Sequence, residues 1–315
     1  MVLKKSDVER ITFGALKITE NDGHFDFFRF TDEQIAVYEK ENLDFHKKAF
    51  GTASVMLDFY TNSRTLSFNF ATESKAGPNL KFAFIDAWVD GMMVAHLGDY
   101  SIEPRGDRAE LLLGEGEKRV TLYLPSVFRT TLSQITLEDG ASLRPAEKKY
   151  KALILGDSIT HGYCAHFPSL NYANTVIRDL ELDAVNQAIG GEVFRPSILG
   201  SAPLFEPDVV TVALGTNSWY NHTAAEEYFK ILAGHYPRAR RIYISPIWRA
   251  DNGPDFFKAI EDYEALARSY GMEIISGLQV LHHLPDMFTD GLHPNDLGYS
   301  QYSELLIKKL REIGF

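Results

Sequence analysis

The stretch KALILGDSITHG, residues 151–162, decides how this chain is read. Ala152-Leu153-Ile154-Leu155 is a short, unbroken apolar run, the pattern of a strand buried on both faces. It stops at Gly156-Asp157-Ser158, and a polar, glycine-containing segment follows. A strand that ends in a tight turn carrying a serine is one way to offer a nucleophile to a substrate.

Downstream of this turn, apolar runs at 184–186, 209–214, 241–245 and 273–276 alternate with amphipathic segments at 170–180, 224–235, 254–270 and 296–313. That alternation predicts βαβ units, hence a parallel sheet with helices on both faces and ligand-binding loops at the carboxyl ends of its strands. Upstream the period changes to two. Leu66, Phe68 and Phe70 alternate with Ser67 and Asn69, and short apolar runs recur at 55–60, 80–85, 87–95, 109–113, 119–124 and 134–137. Turn signals separate them: Ala76-Gly77-Pro78-Asn79, Asp90-Gly91, Gly114-Glu115-Gly116 and Asp139-Gly140. Many short strands at this spacing predict an antiparallel β-sandwich of jelly-roll type, and within it only residues 31–42 read as a helix. The polar stretch 143–150, with Pro145 in it, marks a boundary near residue 146. The expected organisation is an accessory sandwich over 1–146 and a three-layer α/β domain over 147–315.

With 315 residues, 45% hydrophobic, 24% charged and a net charge of -11, the chain has the composition of a soluble globular protein. So acidic a chain lacks the basic surface that nucleic acids and anionic membranes require, so neither is expected as a partner. The lone cysteine, Cys164, excludes an intrachain disulfide. The opening MVLKKSDVERITFG has no apolar core of a signal peptide, and no apolar run reaches the roughly 20 residues that span a bilayer, which together suggest a cytoplasmic protein. No phosphate loop or dinucleotide fingerprint occurs, and the side chains of the adjacent pair His282-His283 would diverge, so neither cofactor nor metal is expected.

Four loop segments carry the chemistry: Gly156-Asp157-Ser158, Gly190-Gly191, Gly215-Thr216-Asn217 and Asp290-Gly291-Leu292-His293-Pro294. Singly, each has an ordinary explanation: a helix cap, a glycine turn, an Asx-turn, a surface histidine. Together they supply what acyl transfer needs. Ser158 offers the hydroxyl, His293 can take its proton and return it to the leaving alcohol, and Asp290, three residues earlier, can orient the imidazole. The N–H groups of Ser158 and Gly191 and the side chain of Asn217 would stabilise the oxyanion.

This ordered set resembles the SGNH (GDSL) hydrolase superfamily over about residues 150–315, with Ser158, Gly191, Asn217 and His293 at the four blocks and Asp290 at the aspartate of the Asp-x-x-His block. Gly190 is a neighbouring candidate for the glycine. The family usually has aspartate after the block-three asparagine, where this chain has Ser218. There is no Gly-x-Ser-x-Gly elbow around Ser158, which argues against the α/β-hydrolase fold. A sandwich ahead of such a domain also resembles, in architecture alone, the two-domain carbohydrate esterases that remove acetyl groups from polysaccharides.

The resemblance implies a serine esterase, a carboxylic ester hydrolase acting on a small O-acyl group, with acetyl on a carbohydrate as the first expectation. Its substrate would be a small-molecule or oligosaccharide ester, and homo-oligomerisation is left open. Two alternatives stand beside it: a lipase, thioesterase or peptidoglycan acyl hydrolase of the same fold, and a non-catalytic carbohydrate-binding protein. Trp219, Tyr220 and Trp248 sit on the same predicted sheet edge and could stack on a sugar face or pack a loop base. Cys164 is near the nucleophile in sequence, yet no base is spaced to serve it, and a lone buried cysteine is the commoner case.

Overall fold

The computed structural model describes residues 1–74, 83–99, 105–217 and 221–315, so the turn expected at 76–79 lies outside the described residues. The chain divides into two compact units, each discontinuous in sequence. One comprises Met1–Thr31, Lys47–Glu147 and His166–Ser169; the other comprises Asp32–His46, Lys148–Ala165 and Leu170–Phe315.

The first unit is an antiparallel sandwich. In one sheet His24–Phe28, Phe128–Leu137, Thr65–Ser74 and Arg105–Leu112 lie side by side, with Lys17–Asn21 added at the edge. In the other the order is Met56–Thr61, Lys118–Tyr123, Ala83–Val89, Met92–Asp99, with the short strands Thr12–Phe13 and Arg144–Pro145 paired to the first of these. Successive strands interleave between the sheets as in a jelly roll. The period-two residues do what the pattern predicts: Leu66 and Phe68 are buried in the shared core with Leu57, Phe59, Val120 and Leu132, while Ser67 and Asn69 face outward.

Three details differ from the sequence reading of this unit. The run 87–95 is two strands, broken at Asp90 and Gly91, whose φ angles of 47° and 79° turn the chain into a hairpin. The pair Lys17–Asn21 and His24–Phe28 went unmarked, although its Asp22-Gly23 link, both residues at positive φ, is a standard hairpin signal. Residues 31–42 are not the only helix in this half, since Lys5–Ile11 and Leu43–Lys48 are helical too. Lys5–Ile11 buries only Val8 and Ile11, so in two turns its period hardly shows.

The second unit is a five-stranded parallel sheet in the order Leu182–Asn186, Tyr150–Gly156, Val209–Ala213, Arg240–Ile244, Glu273–Ile275. Neighbouring side chains on a strand point to opposite faces, so the near-complete burial of Ala152, Leu153, Ile154 and Leu155 means that both faces are covered. Each fully buried Leu or Ile contributes ~1.5–3 kcal/mol of hydrophobic stabilisation. Tyr172–Asp179 packs with the final helix Asp296–Glu312, where Tyr172 and Tyr302 stack at 4.3 Å; His222–His235 packs with Pro254–Ser269. Asn171, Asn221 and Asn295 cap three of these helices by accepting a backbone N–H three residues on.

The order matters for function. The chain starts in Tyr150–Gly156, moves one way to Leu182–Asn186, then back across to Val209–Ala213. The carboxyl end of the first strand is therefore the point where the winding direction reverses, and a crevice opens there between diverging loops. Ser158 is two residues beyond it. Among the described residues no helix is long and apolar enough to cross a membrane.

Candidate active site

Gly156 ends the first strand, and a Cβ there would collide with the Thr160 side chain, so the chain can fold straight back into a helix only with glycine. Asp157 caps that helix, its Oδ1 accepting the Ile159 N–H at 3.0 Å. Ser158 is the first helical residue and is buried.

The last block is brought in from the far end of the chain. Asp290 Oδ1 accepts the N–H groups of Leu292 (3.0 Å) and His293 (2.8 Å), which folds Asp290-Gly291-Leu292-His293 into a tight turn. The same turn puts His293 Nδ1 at 2.8 Å from Asp290 Oδ2. His293 Nε2 lies 2.8 Å from Ser158 Oγ. Both bonds are satisfied by one tautomer, in which Nδ1–H donates to the carboxylate and the Nε2 lone pair accepts the serine hydroxyl. Partial burial works against ionisation of Asp290, but the bonds from His293 and Leu292 outweigh it and hold the carboxyl below the ordinary carboxylate range. The Tyr163 ring stacks on His293 at 5.6 Å.

The glycine and asparagine loops are tied to the serine turn and to each other. Ile189 N–H donates to the Gly156 carbonyl (3.1 Å) and Gly190 N–H to His161 Nδ1 (3.1 Å). Asn217 Nδ2 donates to the Glu192 carbonyl at 3.0 Å. Gly191 has φ 91°, a conformation that favours glycine, and Gly190 lies so close to Tyr163 that a Cβ would strike its ring. Trp248 is half-buried beside His283 and Phe288. Its neighbours bridge two blocks: Arg249 donates to the Thr216 carbonyl at 2.9 Å and Ala250 N–H to the Gly291 carbonyl at 2.7 Å. Trp219 and Tyr220, the other aromatic candidates, and Ser218 lie outside the described residues. Cys164 comes within 4.8 Å of Asp290 and His293, but burial pushes its thiol up to about 11, so it is protonated at neutral pH.

Sequence reasoning placed His161 only as a neighbour of the nucleophile in sequence and gave no role to Tyr163 or to Glu192, which directly follows the glycine pair.

Asp157 yields a stability prediction. Burial pushes its carboxyl from 3.8 up to about 7, against the bonds from Ile159 and Thr216 that favour the anion. Between those values the folded chain holds a proton that the unfolded chain has released. Stability from this group is therefore full below pH 3.8, falls as pH rises to about 7, and is constant beyond. Asp157→Asn keeps a capping side chain and removes the titration. Its melting temperature relative to the parent is expected to rise between pH 5 and pH 8; an offset that stays flat across that range would show that Asp157 does not titrate there.

Residues 154–301 match the GDSL-like Lipase/Acylhydrolase family. No curated protein sequence matches the chain. Among solved structures, the salicylyl-acyltransferase SsfX3 from a tetracycline biosynthetic pathway is 20% identical, with TM-score 0.76 over 96% of this chain and 94% of that one. A family two carbohydrate esterase from Cellvibrio japonicus is 16% identical, with TM-score 0.64 over 98% and 96% of the chains. Another from Clostridium thermocellum, solved with cellohexaose, is 16% identical, with TM-score 0.60 over 84% and 92%. These likenesses establish a shared fold, an antiparallel sandwich followed by a parallel-sheet domain.

Proposed function

Because residues 154–301 are a GDSL-like lipase/acylhydrolase domain, a carboxylic ester hydrolase by class, we propose that Ser158 is its nucleophile, His293 its base and Asp290 the residue that orients the base. The observation that carries this reading is the unbroken chain from Asp290 through His293 to Ser158, with both bonds at 2.8 Å. As Oγ attacks the acyl carbon, its proton passes to Nε2. The tetrahedral oxyanion is met by the N–H groups of Ser158 and Gly191 and by the Asn217 amide. Nε2–H then protonates the departing alcohol, and water repeats the sequence on the acyl-enzyme.

The substrate is a small O-acyl ester, acetyl on a carbohydrate. Two features support a small acyl group. The Phe45 ring stands 3.2 Å from where a Cβ on Gly191 would sit, and Tyr163 closes on Gly190. Aromatic walls beside the oxyanion position leave little room for a long chain. The carbohydrate half of the reading is supported by the fold shared with two carbohydrate esterases, one of them holding cellohexaose.

A p-nitrophenyl ester series tests it. The kcat/KM is expected to fall at least ~10-fold from acetate to octanoate, since clashing methylenes cost a kcal/mol or more, and acetylated xylo- or cello-oligosaccharides are expected to release acetate. A preference for octanoate would overturn the acyl assignment in favour of a lipase. An alcohol acceptor added to the same assay separates hydrolysis from acyl transfer, the activity named for SsfX3.

A further inference from the structure

Glu192 directly follows the proposed oxyanion glycine, and it is only 4% exposed. A buried carboxylate costs several kcal/mol unless it is paired and hydrogen-bonded. Burial pushes its carboxyl up, and three donors work against that. Tyr38 donates its hydroxyl to Oε2 at 2.6 Å, while Oε1 accepts Arg195 Nε at 3.1 Å and the Val193 N–H at 3.0 Å. Arg195 in turn donates to Glu41 at 2.7 Å.

Tyr38 and Glu41 both lie on the helix Asp32–Glu41, about 150 residues earlier in the chain. A third residue of that helix, Gln34, exchanges two amide bonds with Gln187, at 3.0 and 2.8 Å, and donates to the Ile198 carbonyl at 2.9 Å. Positions 34, 38 and 41 follow the i, i+4, i+7 spacing that puts residues on one helix face. An ordinary packing face at that spacing would be apolar. This one carries polar groups, and the hydrogen bonds just described run to Gln187, Glu192, Arg195 and Ile198. Directional bonds fix a loop more closely than apolar contact does, and those to a carboxylate are the strongest of the kind.

From Glu192 the effect passes two ways. The Gly191 N–H lies one peptide before Glu192, and the Glu192 carbonyl holds the Asn217 amide. Both groups are oxyanion donors under the reading above, on which this inference rests. Such donors act because they are already in place when charge develops, and a displacement of about 1 Å can cost ~10²-fold in rate.

We propose that Tyr38 is a positioning residue of the reaction: through the Glu192 carboxylate its hydroxyl fixes the Gly191 N–H and the Asn217 amide where the oxyanion forms. Helix Asp32–Glu41 is then a remote part of the catalytic apparatus.

Tyr38→Phe removes the hydroxyl and keeps the ring. Using p-nitrophenyl acetate, kcat per fluorophosphonate-titrated serine is expected to fall ~10–100-fold with KM within about twofold, and the Ki of phenylboronic acid, a tetrahedral mimic, to rise by a similar factor. Glu192→Gln should show the same split, and the double variant should lose little more than the worse single one. If Tyr38→Phe fails to fold, Glu192→Gln alone decides by the same two readouts. A kcat per titrated serine equal to the parent's, with Ser158→Ala inactive, would overturn the role of Tyr38 and leave the esterase reading standing. An active Ser158→Ala would instead remove the reading on which both rest.

Discussion

Ser158→Ala is expected to lower ester hydrolysis by on the order of 10⁴-fold or more while leaving the fold in place. The substitution deletes a single oxygen from a buried side chain, so the hole it leaves is smaller than a methyl group. The cap that starts the helix belongs to Asp157, not to Ser158, and survives. What disappears is the one atom placed 2.8 Å from His293 Nε2. Cys164 cannot take over, because its thiol stays protonated and lies on the neighbouring turn. Turnover of p-nitrophenyl acetate together with a thermal melt checks both halves, and retained turnover would sink the nucleophile assignment.

Asp290→Asn is expected to be nearly as damaging, at ~10²–10⁴-fold in kcat, with KM little changed. An asparagine oxygen can still accept the Leu292 and His293 N–H groups, so the turn should keep its shape. Its amide nitrogen then faces Nδ1, which favours the tautomer with the proton on Nε2, and Ser158 loses its acceptor. The Asp290 side chain is half-exposed, so water can soften the effect, and the range therefore extends below the buried-triad value. A loss of less than about fivefold would mean that Ser158 and His293 work as a pair.

The candidate site residues stand out in the sequence because each lies in a short local pattern: a strand end, a glycine pair, an Asp-x-x-His turn. Alternation of apolar runs with amphipathic segments likewise announced the parallel sheet, since a strand covered on both faces has no alternative to being apolar throughout. The supports around the site were not legible. Tyr38 is an ordinary half-apolar residue on a helix of weak amphipathicity, and nothing in its neighbourhood points to Glu192. Gln34 and Gln187 read as surface residues until both are seen buried, each satisfying the other. Interactions at such separations leave no periodicity behind. The missed hairpin at Asp22-Gly23 is different, since the signal was present and two weak strands hid it.

The segment Asp32–His46 belongs to the compact unit built otherwise from residues after 147. At a synthesis rate of ~5–20 residues per second, Tyr38 leaves the ribosome roughly 10–30 s before Glu192 follows it. Through that interval the helix has no loop to clamp. A short helix is marginal by itself in water, so its order waits on a partner not yet made. Maturation of the proposed oxyanion loop is thus a late event that closes a long stretch of chain, and a fragment starting near residue 147 would carry all five proposed site residues without the helix that hydrogen-bonds to Gln187, Glu192 and Arg195.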